Sequence, residues 1–211
     1  MPSEPSPRRI AAAAAALGVP LERSAADRLA ALAALLEEVA VPRGFISASD
    51  AGGVLERHVL DSLRATSQVR RYDRLAYDLG SGAGLPGLVL AIAAPRCRVV
   101  LVESKARRAG FLEMAVDRLN IANADVALAR AEDVATPADV ATARAFAPLP
   151  RSWKVAFPLL RPGGRLVYFA GEALGDPGAA AAALSDPEPP ASVELARGLA
   201  TRAPLVIMTR G

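Results

Sequence analysis

Two hydrophobic patterns divide the chain near residue 70. In the first part, apolar residues recur at helical spacing, as at Leu29, Leu32, Leu36 and Val39. The predicted helices are Arg8–Leu17, a stretch that Ser24 caps and Pro42 ends, and Ala51–Ala65. Residues 1–7 are rich in proline and serine and are predicted to be a loose tail. The first part is therefore interpreted as a tail followed by a helical cap.

From Leu75 onward, short apolar runs alternate with amphipathic stretches. The predicted strands are Leu75–Leu79, Val99–Val102, Val126–Ala129, Val140–Ala145, Arg165–Phe169, Val193–Ala196 and Leu205–Thr209. The predicted helices are Pro86–Ala94, Ala106–Leu119, Ser152–Leu160 and Ala179–Leu184. Repeated β-α-β units predict an α/β fold with a doubly wound, mostly parallel, seven-stranded, Rossmann-like sheet. We predict a tail and cap at residues 1–70 and a ligand-binding domain at residues 71–211, within a single structural unit.

Composition agrees with a folded protein and leaves its partner open. The chain has 211 residues, of which 52% are apolar and 22% charged, and its formal net charge is +3. This balance is typical of a globular protein. Lys105 and Lys154 are the only lysines, and the other basic residues are arginines, which suit contacts to phosphates and bases. A codon bias explains the arginines more simply, so the composition permits a nucleic-acid partner without showing one.

Cysteine and histidine are too scarce for several kinds of site. A single cysteine, Cys97, excludes an internal disulfide, and a single histidine, His58, removes most zinc sites and Ser-His-Asp triads. We therefore predict no metal. Pro20 and Glu22 interrupt the alanine-rich start, and no apolar run approaches the roughly 18 residues of a membrane span. We expect a cytoplasmic monomer without membrane contact.

The segment richest in chemical information is Asp78-Leu-Gly-Ser-Gly-Ala-Gly-Leu-Pro-Gly87, between a predicted strand and a predicted helix. Glycines there allow a tight turn and a close approach to a ligand. The last three glycines fit the dinucleotide pattern G-x-G-x-x-G, whereas Asp78 and the first three glycines fit D-x-G-x-G-x-G, the form that accompanies S-adenosylmethionine (SAM). Glycines that serve only a tight turn are a third interpretation.

The flanking residues favour SAM over NAD. Asp78 provides a carboxylate where the methionine ammonium of SAM would lie and where a pyrophosphate would be repelled. Glu103 ends the second strand and would hold ribose hydroxyls with either ligand. Ala131-Glu132-Asp133 follows the third strand, where adenine is usually recognised. The turn Arg161-Pro-Gly-Gly164 before a strand is common in SAM-dependent enzymes. We therefore predict SAM as the cofactor.

The residues missing from this region indicate the acceptor atom. Cys97 precedes the second strand, so we interpret it as a core residue and not as a nucleophile for methylation of a pyrimidine carbon. Residues 143–148 lack the Asn/Asp-Pro-Pro-aromatic motif of exocyclic amine methylation. An acceptor with an exposed lone pair needs neither a base nor a nucleophile, and N7 of guanine is one. We predict no catalytic residue, because alignment of the methyl group with the nitrogen would suffice.

Several motifs occur in the order found in one known family. They are Asp78–Gly87, Glu103-Ser104, Arg107–Leu112, Arg130–Asp133, Arg144–Ala147 and, upstream, Arg57-His-Val-Leu-Asp-Ser-Leu63. The series resembles the RsmG (GidB) family, bacterial methyltransferases of guanine N7 in 16S ribosomal RNA. The resemblance implies a class I SAM methyltransferase fold, and a guanine of the 530-loop region as target. It also implies SAM as cofactor, and 16S rRNA or the small ribosomal subunit particle as partner.

The resemblance extends to the cofactor site. The residues expected to bind SAM are Asp78, Gly80, Gly82, Leu85, Glu103, Ala131, Glu132 and Arg144. The backbone of Gly80 would lie beside the methionine end, and Ala131 and Glu132 would contact adenine. Leu85 as a core residue and Arg144 as a solvated charge are the alternatives, and we prefer the ligand-binding interpretation.

The cap departs from the family pattern. Many members carry Trp-Asn…Asn-Leu-Thr before the Arg-His helix, whereas this chain has Pro42-Arg-Gly-Phe-Ile-Ser47. For His58, a role in orienting guanine or a phosphate and a purely structural role both stay open. The arginines expected to meet RNA phosphate are Arg43, Arg57, Arg107 and Arg108.

Three other functions remain as alternatives. A SAM-dependent methyltransferase could act on another substrate, and the second glycine pattern would suit an NAD-dependent oxidoreductase. A non-catalytic nucleotide-binding module with an arginine-rich docking face is the third.

Overall fold

One seven-stranded sheet organises the residues that the computed structural model describes, which are 6–171, 185, 187, 189–196 and 203–211. The strands are β1 Leu75–Leu79, β2 Arg98–Glu103, β3 Ala124–Leu128, β4 Ala138–Arg144, β5 Leu160–Phe169, β6 Ala191–Ala196 and β7 Leu205–Arg210. The α-helices are α1 Pro7–Ala16, α2 Arg23–Leu35, α3 Leu60–Thr66, α4 Gly87–Ala93, α5 Ala106–Arg118 and α6 Leu149–Leu159. Short π-helical segments at Leu36–Ala40 and Leu55–Val59 and 3-10 turns at Ala48–Asp50 and Ala131–Asp133 complete the set.

The strand order is β3-β2-β1-β4-β5-β7-β6. The five strands from β3 to β5 pair in parallel, whereas β7 runs antiparallel to both β5 and β6. The order reverses between β1 and β4, and such a switch point opens a crevice at the carboxyl ends of the strands. The predicted doubly wound, mostly parallel sheet of seven strands is therefore confirmed.

Hydrophobic clusters cover both faces of the sheet. Neighbouring residues of a strand point to opposite faces, so Val140 of β4 belongs to one cluster and Ala141 to the other. The first cluster joins the sheet to α4, α5 and the helical cap, where Leu29 and Leu32 are fully buried. The second lies under α6 and contains Trp153. Burial on both faces explains why apolar residues occupy successive positions in much of the central strands.

Two predicted helix starts in the cap are wrong. Ser24 does not cap α2, because the carbonyl of Glu22 already accepts hydrogen bonds from the amides of Ala25 and Ala26. The helix predicted from Ala51 starts near Val54. Glu37, on the preceding helix, explains that start, since its carboxylate accepts from the amides of Gly52 and Val54, each at 3.1 Å. A cap supplied from another helix leaves no local sequence signal.

The segment from Leu149 to Arg165 also differs from its prediction. Helix α6 begins at Leu149 instead of Ser152, with a proline in its first turn. Strand β5 begins before the predicted turn: Ala138 pairs with Leu160 and Val140 with Arg165, so residues 161–164 form an irregularity inside the paired strand. The remaining predicted elements match within about two residues, except for the helix at Ala179–Leu184, which lies outside the described residues.

The cap packs against α4, which both α2 and α3 contact. The division at residue 70 stays a prediction. Among the described residues, no helix has the length and apolarity needed to cross a bilayer.

A buried ion pair fastens β5 to the connection between α3 and β1. Arg165 and Asp73 are each only 2% exposed, and the guanidinium donates to the Asp73 carboxylate and to the carbonyl of Gln68. Removing one partner of such a pair leaves a buried charge without compensation.

We expect Arg165→Met to lower the free energy of unfolding by about 3–5 kcal/mol, measured by urea denaturation. The matched control is Arg98→Ala, which removes the exposed Arg98–Asp125 pair and should leave stability unchanged. An Arg165→Met protein as stable as the parent would contradict this account of the pair.

Candidate functional site

The loop between β1 and α4 lies at the switch point of the sheet. Gly80, Gly82 and Gly84 have φ angles of +67°, +58° and +86°. Residues with a Cβ adopt this left-handed region only at a cost in conformational free energy. Three such residues within five positions therefore require glycine. The amide of Ser81 donates to the carbonyl of Val102 on β2, which holds the loop over the neighbouring strand.

Asp78 lies beneath this loop. Its Oδ2 accepts from the amide of Gly87 at 3.2 Å, and its Oδ1 accepts from Oγ1 of Thr142 on β4 at 2.7 Å. The side chain is almost completely buried, and this burial raises the pKa of the Asp78 carboxyl above its usual value. Asp78 thus connects β1, β4 and the first turn of α4. Its contact with the ammonium group of a ligand stays a prediction.

Glu103 holds the loop from the other side. From the end of β2, its Oε2 accepts from the amide of Gly82 and its Oε1 from the amide of Lys105, each at 2.9 Å. Glu103 is also buried. Both carboxylates that the sequence places next to the ligand therefore bind backbone amides around the glycine loop.

A first cavity of about 270 Å³ opens on the β2 and β3 side of the loop. Its lining residues are Gly80, Val102, Ser104, Lys105, Ala129, Arg130, Ala131, Glu132, Phe146, Ala147 and Arg151. Three of the predicted cofactor residues line it: Gly80, Ala131 and Glu132. The exposed carboxylate of Glu132 therefore shares this cavity with three basic side chains, which are those of Lys105, Arg130 and Arg151.

A second cavity of about 210 Å³ lies on the cap side of the same loop. Its lining residues are Phe45, Ile46, Ser47, His58, Ser81, Ala83, Leu85, Arg144 and Ala145. Leu85 and Arg144, which the sequence assigns to the cofactor site, therefore line a different cavity from Ala131 and Glu132. Gly80 lines one cavity and Ser81 the other, so the two cavities adjoin at the glycine loop.

Arg144 connects the end of β4 to the cap. Its Nη2 lies 2.9 Å from Nδ1 of His58 and donates to the carbonyl of Arg57 at 3.1 Å. A carboxylate oxygen of Asp61 lies 3.6 Å away, and the guanidinium stacks near the ring of Phe169. The side chain is only 20% exposed, so the alternative interpretation as a solvated charge does not describe it.

His58 lies between Arg144 and Asp50. Its Nε2 is 3.0 Å from Oδ2 of Asp50, which also accepts from Arg57 through Oδ1 at 2.7 Å. Burial, followed by the charge of Arg144, lowers the pKa of His58, and the hydrogen bond from Arg57 lowers that of Asp50. His58 therefore has structural hydrogen bonds at both nitrogens and also lines the second cavity.

Sequence reasoning missed Phe45, Phe146 and Arg151. A Cβ on Gly80 would stand 2.7 Å from the Phe146 ring, so this ring closes one side of the first cavity against the glycine. Phe146 directly follows β4, and an aromatic residue after a strand that flanks the crevice is the signal that could have identified it. Cys97, interpreted as a core residue, is indeed buried, and this burial raises its pKa to about 12.

Gly87 offers a test of the support beneath the loop. A Cβ there would overlap Cδ2 of Leu101 and stand 2.6 Å from Oδ2 of Asp78. We expect Gly87→Ala to lower the free energy of unfolding by about 1–3 kcal/mol in thermal or urea denaturation, because the strand and the buried carboxylate must shift.

The matched control for Gly87→Ala is Gly110→Ala. Gly110 lies within α5 and is exposed, and a Cβ added there would have open space around it to 4 Å. At this position alanine should increase stability by about 0.5–1 kcal/mol through its higher helix propensity. Equal responses of the two variants would contradict close packing at Gly87.

The sheet order and the glycine loop at its switch point define the class I methyltransferase fold. A solved structure described as a putative caffeoyl-CoA O-methyltransferase from Staphylococcus aureus superposes with a TM-score of 0.62. The superposition covers 85% of this chain and 92% of that one, at 13% sequence identity. At this identity the similarity shows the fold alone.

The family follows from the sequence profiles. The profile of the family GidB, described as rRNA small subunit methyltransferase G, matches residues 25–183, and this chain belongs to that family. The ribosomal RNA small subunit methyltransferase G of Salinispora arenicola is 44% identical over 154 residues, or 69% of this chain and 63% of the relative. That of Salinispora tropica is 41% identical over 172 residues, or 76% and 71%. The first alignment thus spans less than two thirds of the relative's length. The family match confirms the resemblance seen in the motifs.

Proposed function

We propose that this chain is a SAM-dependent methyltransferase that methylates N7 of a guanine in 16S rRNA. The observation that carries the proposal is the pair of cavities on the two sides of one glycine loop, in a member of this family. In a methyl transfer the N7–methyl bond forms as the sulfur–methyl bond breaks, so the methyl group and the acceptor nitrogen must meet directly and in line, where the two cavities adjoin.

The first cavity suits SAM. Gly80 has no room for a side chain beside Phe146, and the polar residues around it come from the ends of β2 and β3. Ala131 and Glu132 would hold the adenine end, and Glu103 and Gly82 would lie near the ribose. Asp78, Gly80, Leu85 and Arg144 would surround the methionine end. The cofactor supplies an electrophilic methyl group, and the chain's residues bind and orient it.

The second cavity suits an acceptor base that has been turned out of its stack. Flipped bases lie against aromatic or apolar side chains and form hydrogen bonds along one edge. Phe45 and Leu85 provide apolar walls here, and His58 and Arg144 provide the polar one. N7 of guanine carries a lone pair and loses no proton in the transfer, so no residue has to act as a base.

Exposed arginines surround the cap side of this cavity. The guanidinium of Arg107 lies 5.3 Å from the centre of the Phe45 ring, and its Nη2 donates to the carbonyl of Arg43. Arg43, Arg57 and Arg107 are all exposed. RNA phosphates near the second cavity would meet these positive charges. A cytoplasmic location, a monomeric state and the two-part division of the chain stay predictions from the sequence.

Methyl transfer can be tested with the purified protein, labelled SAM and either deproteinised 16S rRNA or small-subunit particles. We expect label in a single guanine, identified as N7-methylguanine by mass spectrometry of nuclease fragments. Transfer to proteins or small molecules, with none to either form of the RNA, would overturn the proposed substrate.

Salt dependence tests the arginine surface separately. The affinity for 16S rRNA should fall steeply with salt, and Arg107→Ala should reduce the slope of log K against log[salt] by about 1. Arg118→Ala, which removes an exposed arginine that lines neither cavity, is the matched control and should leave the slope unchanged. Equal slopes for the parent and Arg107→Ala would exclude Arg107 from the RNA contact.

Calorimetry distinguishes the cofactor hypotheses. We expect SAM to bind and NAD not to bind, and Glu132→Gln to weaken SAM binding about tenfold through loss of a charged hydrogen-bond acceptor. Glu113→Gln, at an exposed position of α5 outside both cavities, should bind SAM like the parent. Binding of NAD alone would favour the oxidoreductase, and SAM binding without turnover on any RNA would favour a non-catalytic module.

A further inference from the structure

A hydrogen-bonded chain runs from the cap to the sheet through Asp50, His58 and Arg144. Nε2 of His58 lies 3.0 Å from the Asp50 carboxylate, and Nδ1 lies 2.9 Å from Nη2 of Arg144. A guanidinium carries only donors, so Nδ1 must be the acceptor in this contact. The single ring proton then belongs on Nε2, where Asp50 accepts it. The partners therefore assign a neutral imidazole of defined tautomer.

We propose that His58 is a positioning residue whose unprotonated Nδ1 holds the Arg144 guanidinium at the polar wall of the second cavity. The proposal rests on the proposed function, because that cavity is the one assigned to the acceptor base. Arg144 is the last residue of β4, and Asp50 belongs to the 3-10 turn Ala48–Asp50. The cap therefore determines where a side chain of the sheet lies in the reaction site.

Among the contacts of Arg144 within the described residues, the one with His58 has the shortest distance. The carbonyl of Arg57 accepts at 3.1 Å, whereas the Ser62 hydroxyl at 3.4 Å and the Asp61 carboxylate at 3.6 Å are at long range. The lone pair of Nδ1 also favours one direction for the hydrogen bond, whereas the attraction of a carboxylate at 3.6 Å has no such preference.

Protonation of His58 would reverse this contact. An imidazolium would point Nδ1–H at a guanidinium donor 2.9 Å away, so that two donors and two positive charges face each other. Within the described residues, the charged groups that act on the ring are Asp50 in the cap, Asp61 on α3 and Arg144 on β4, and Arg57 binds the other oxygen of Asp50. Burial and Arg144 lower the pKa of His58, whereas Asp50 and Asp61 oppose them.

The direction of the pH effect follows from the lowered pKa. Since the folded protein binds the proton less readily than the unfolded chain, the contribution of neutral His58 is complete above about pH 6.5. It is lost as the pH falls from that value through the lower pKa of the folded state. Methylation should therefore decline on the acidic side as the Arg144 contact breaks.

Two amide variants separate the nitrogens of the ring. In His58→Asn the amide oxygen lies at the same number of bonds from Cβ as Nδ1 and can accept from Arg144. In His58→Gln the amide nitrogen corresponds to Nε2, so the donor to Asp50 is kept, and no acceptor remains at the position of Nδ1. If Nδ1 is the functional atom, the asparagine variant should be the active one.

We expect His58→Asn to keep kcat on 16S rRNA within about threefold, whereas His58→Gln and His58→Ala lose about ten- to hundredfold, as for a lost charge-assisted hydrogen bond. Any change in the Kd for SAM should follow the same order and be smallest in His58→Asn, because Arg144 is also assigned to the methionine end of the cofactor. The decline in kcat at acidic pH that we expect for the parent should be absent from His58→Asn. Equal kcat for the asparagine and glutamine variants, or a higher one for glutamine, would overturn the proposal.

NMR provides a readout that does not depend on activity. His58 is the only histidine of the chain, so tag-free protein labelled with 15N-histidine has one imidazole to assign. We expect a protonated Nε2 and an unprotonated Nδ1 at pH 7.5, and a higher pKa of His58 in Arg144→Met, where the neighbouring positive charge is gone. A protonated Nδ1 at this pH would overturn the proposal. If the parent fails to methylate RNA while the tautomer is as expected, the proposed function fails and the Arg144–His58 contact stands.

Discussion

The backbone between β1 and α4 can follow its path only because it lacks side chains and because two carboxylates receive its amides. Gly80, Gly82 and Gly84 occupy left-handed conformations, and amides around the turn donate to Asp78 and Glu103. Both acids are buried, so each amide satisfies a carboxylate oxygen that water does not reach. The two cavities, the first turn of α4 and the approach of Phe146 all depend on this arrangement. This arrangement joins β1, β2 and β4 at the point where the strand order reverses.

The buried acids give the loop its shape and a negative charge close to both cavities. Burial raises the pKa of Asp78, while its bonds to Thr142, Ser81 and Gly87 oppose the rise. Hydrogen bonds to a buried carboxylate and nearby positive charges both offset the free-energy cost of its burial. Arg144 lies near enough to lower the pKa of Asp78, and a cationic ligand beside the loop would act in the same direction.

The cap and the sheet meet at the site through Arg144, His58 and Asp50, while a shared hydrophobic core joins them elsewhere. The apolar contacts bring the cap onto α4, but they are not directional and leave the orientation of a guanidinium open. Hydrogen bonds supply that orientation, and they require the cap to be docked. Any movement of the cap would therefore also move a side chain that lines the second cavity.

Residue patterns alone were enough to predict the order of the strands and helices, the glycine loop, the acids at the ends of β1 and β2, and the family. These properties depend on hydrophobic period and on short spacings, such as the nine residues that separate Asp78 from the amide it binds in Gly87. The folded arrangement was needed to learn that Glu37 caps a helix 15 to 17 residues away, and that residues 161–164 lie within a paired strand. It was also needed to find that Arg144 meets His58 across 86 residues, which divides the predicted cofactor residues between two cavities. Contacts between distant segments depend on how the layers pack, and local spacing carries no record of that.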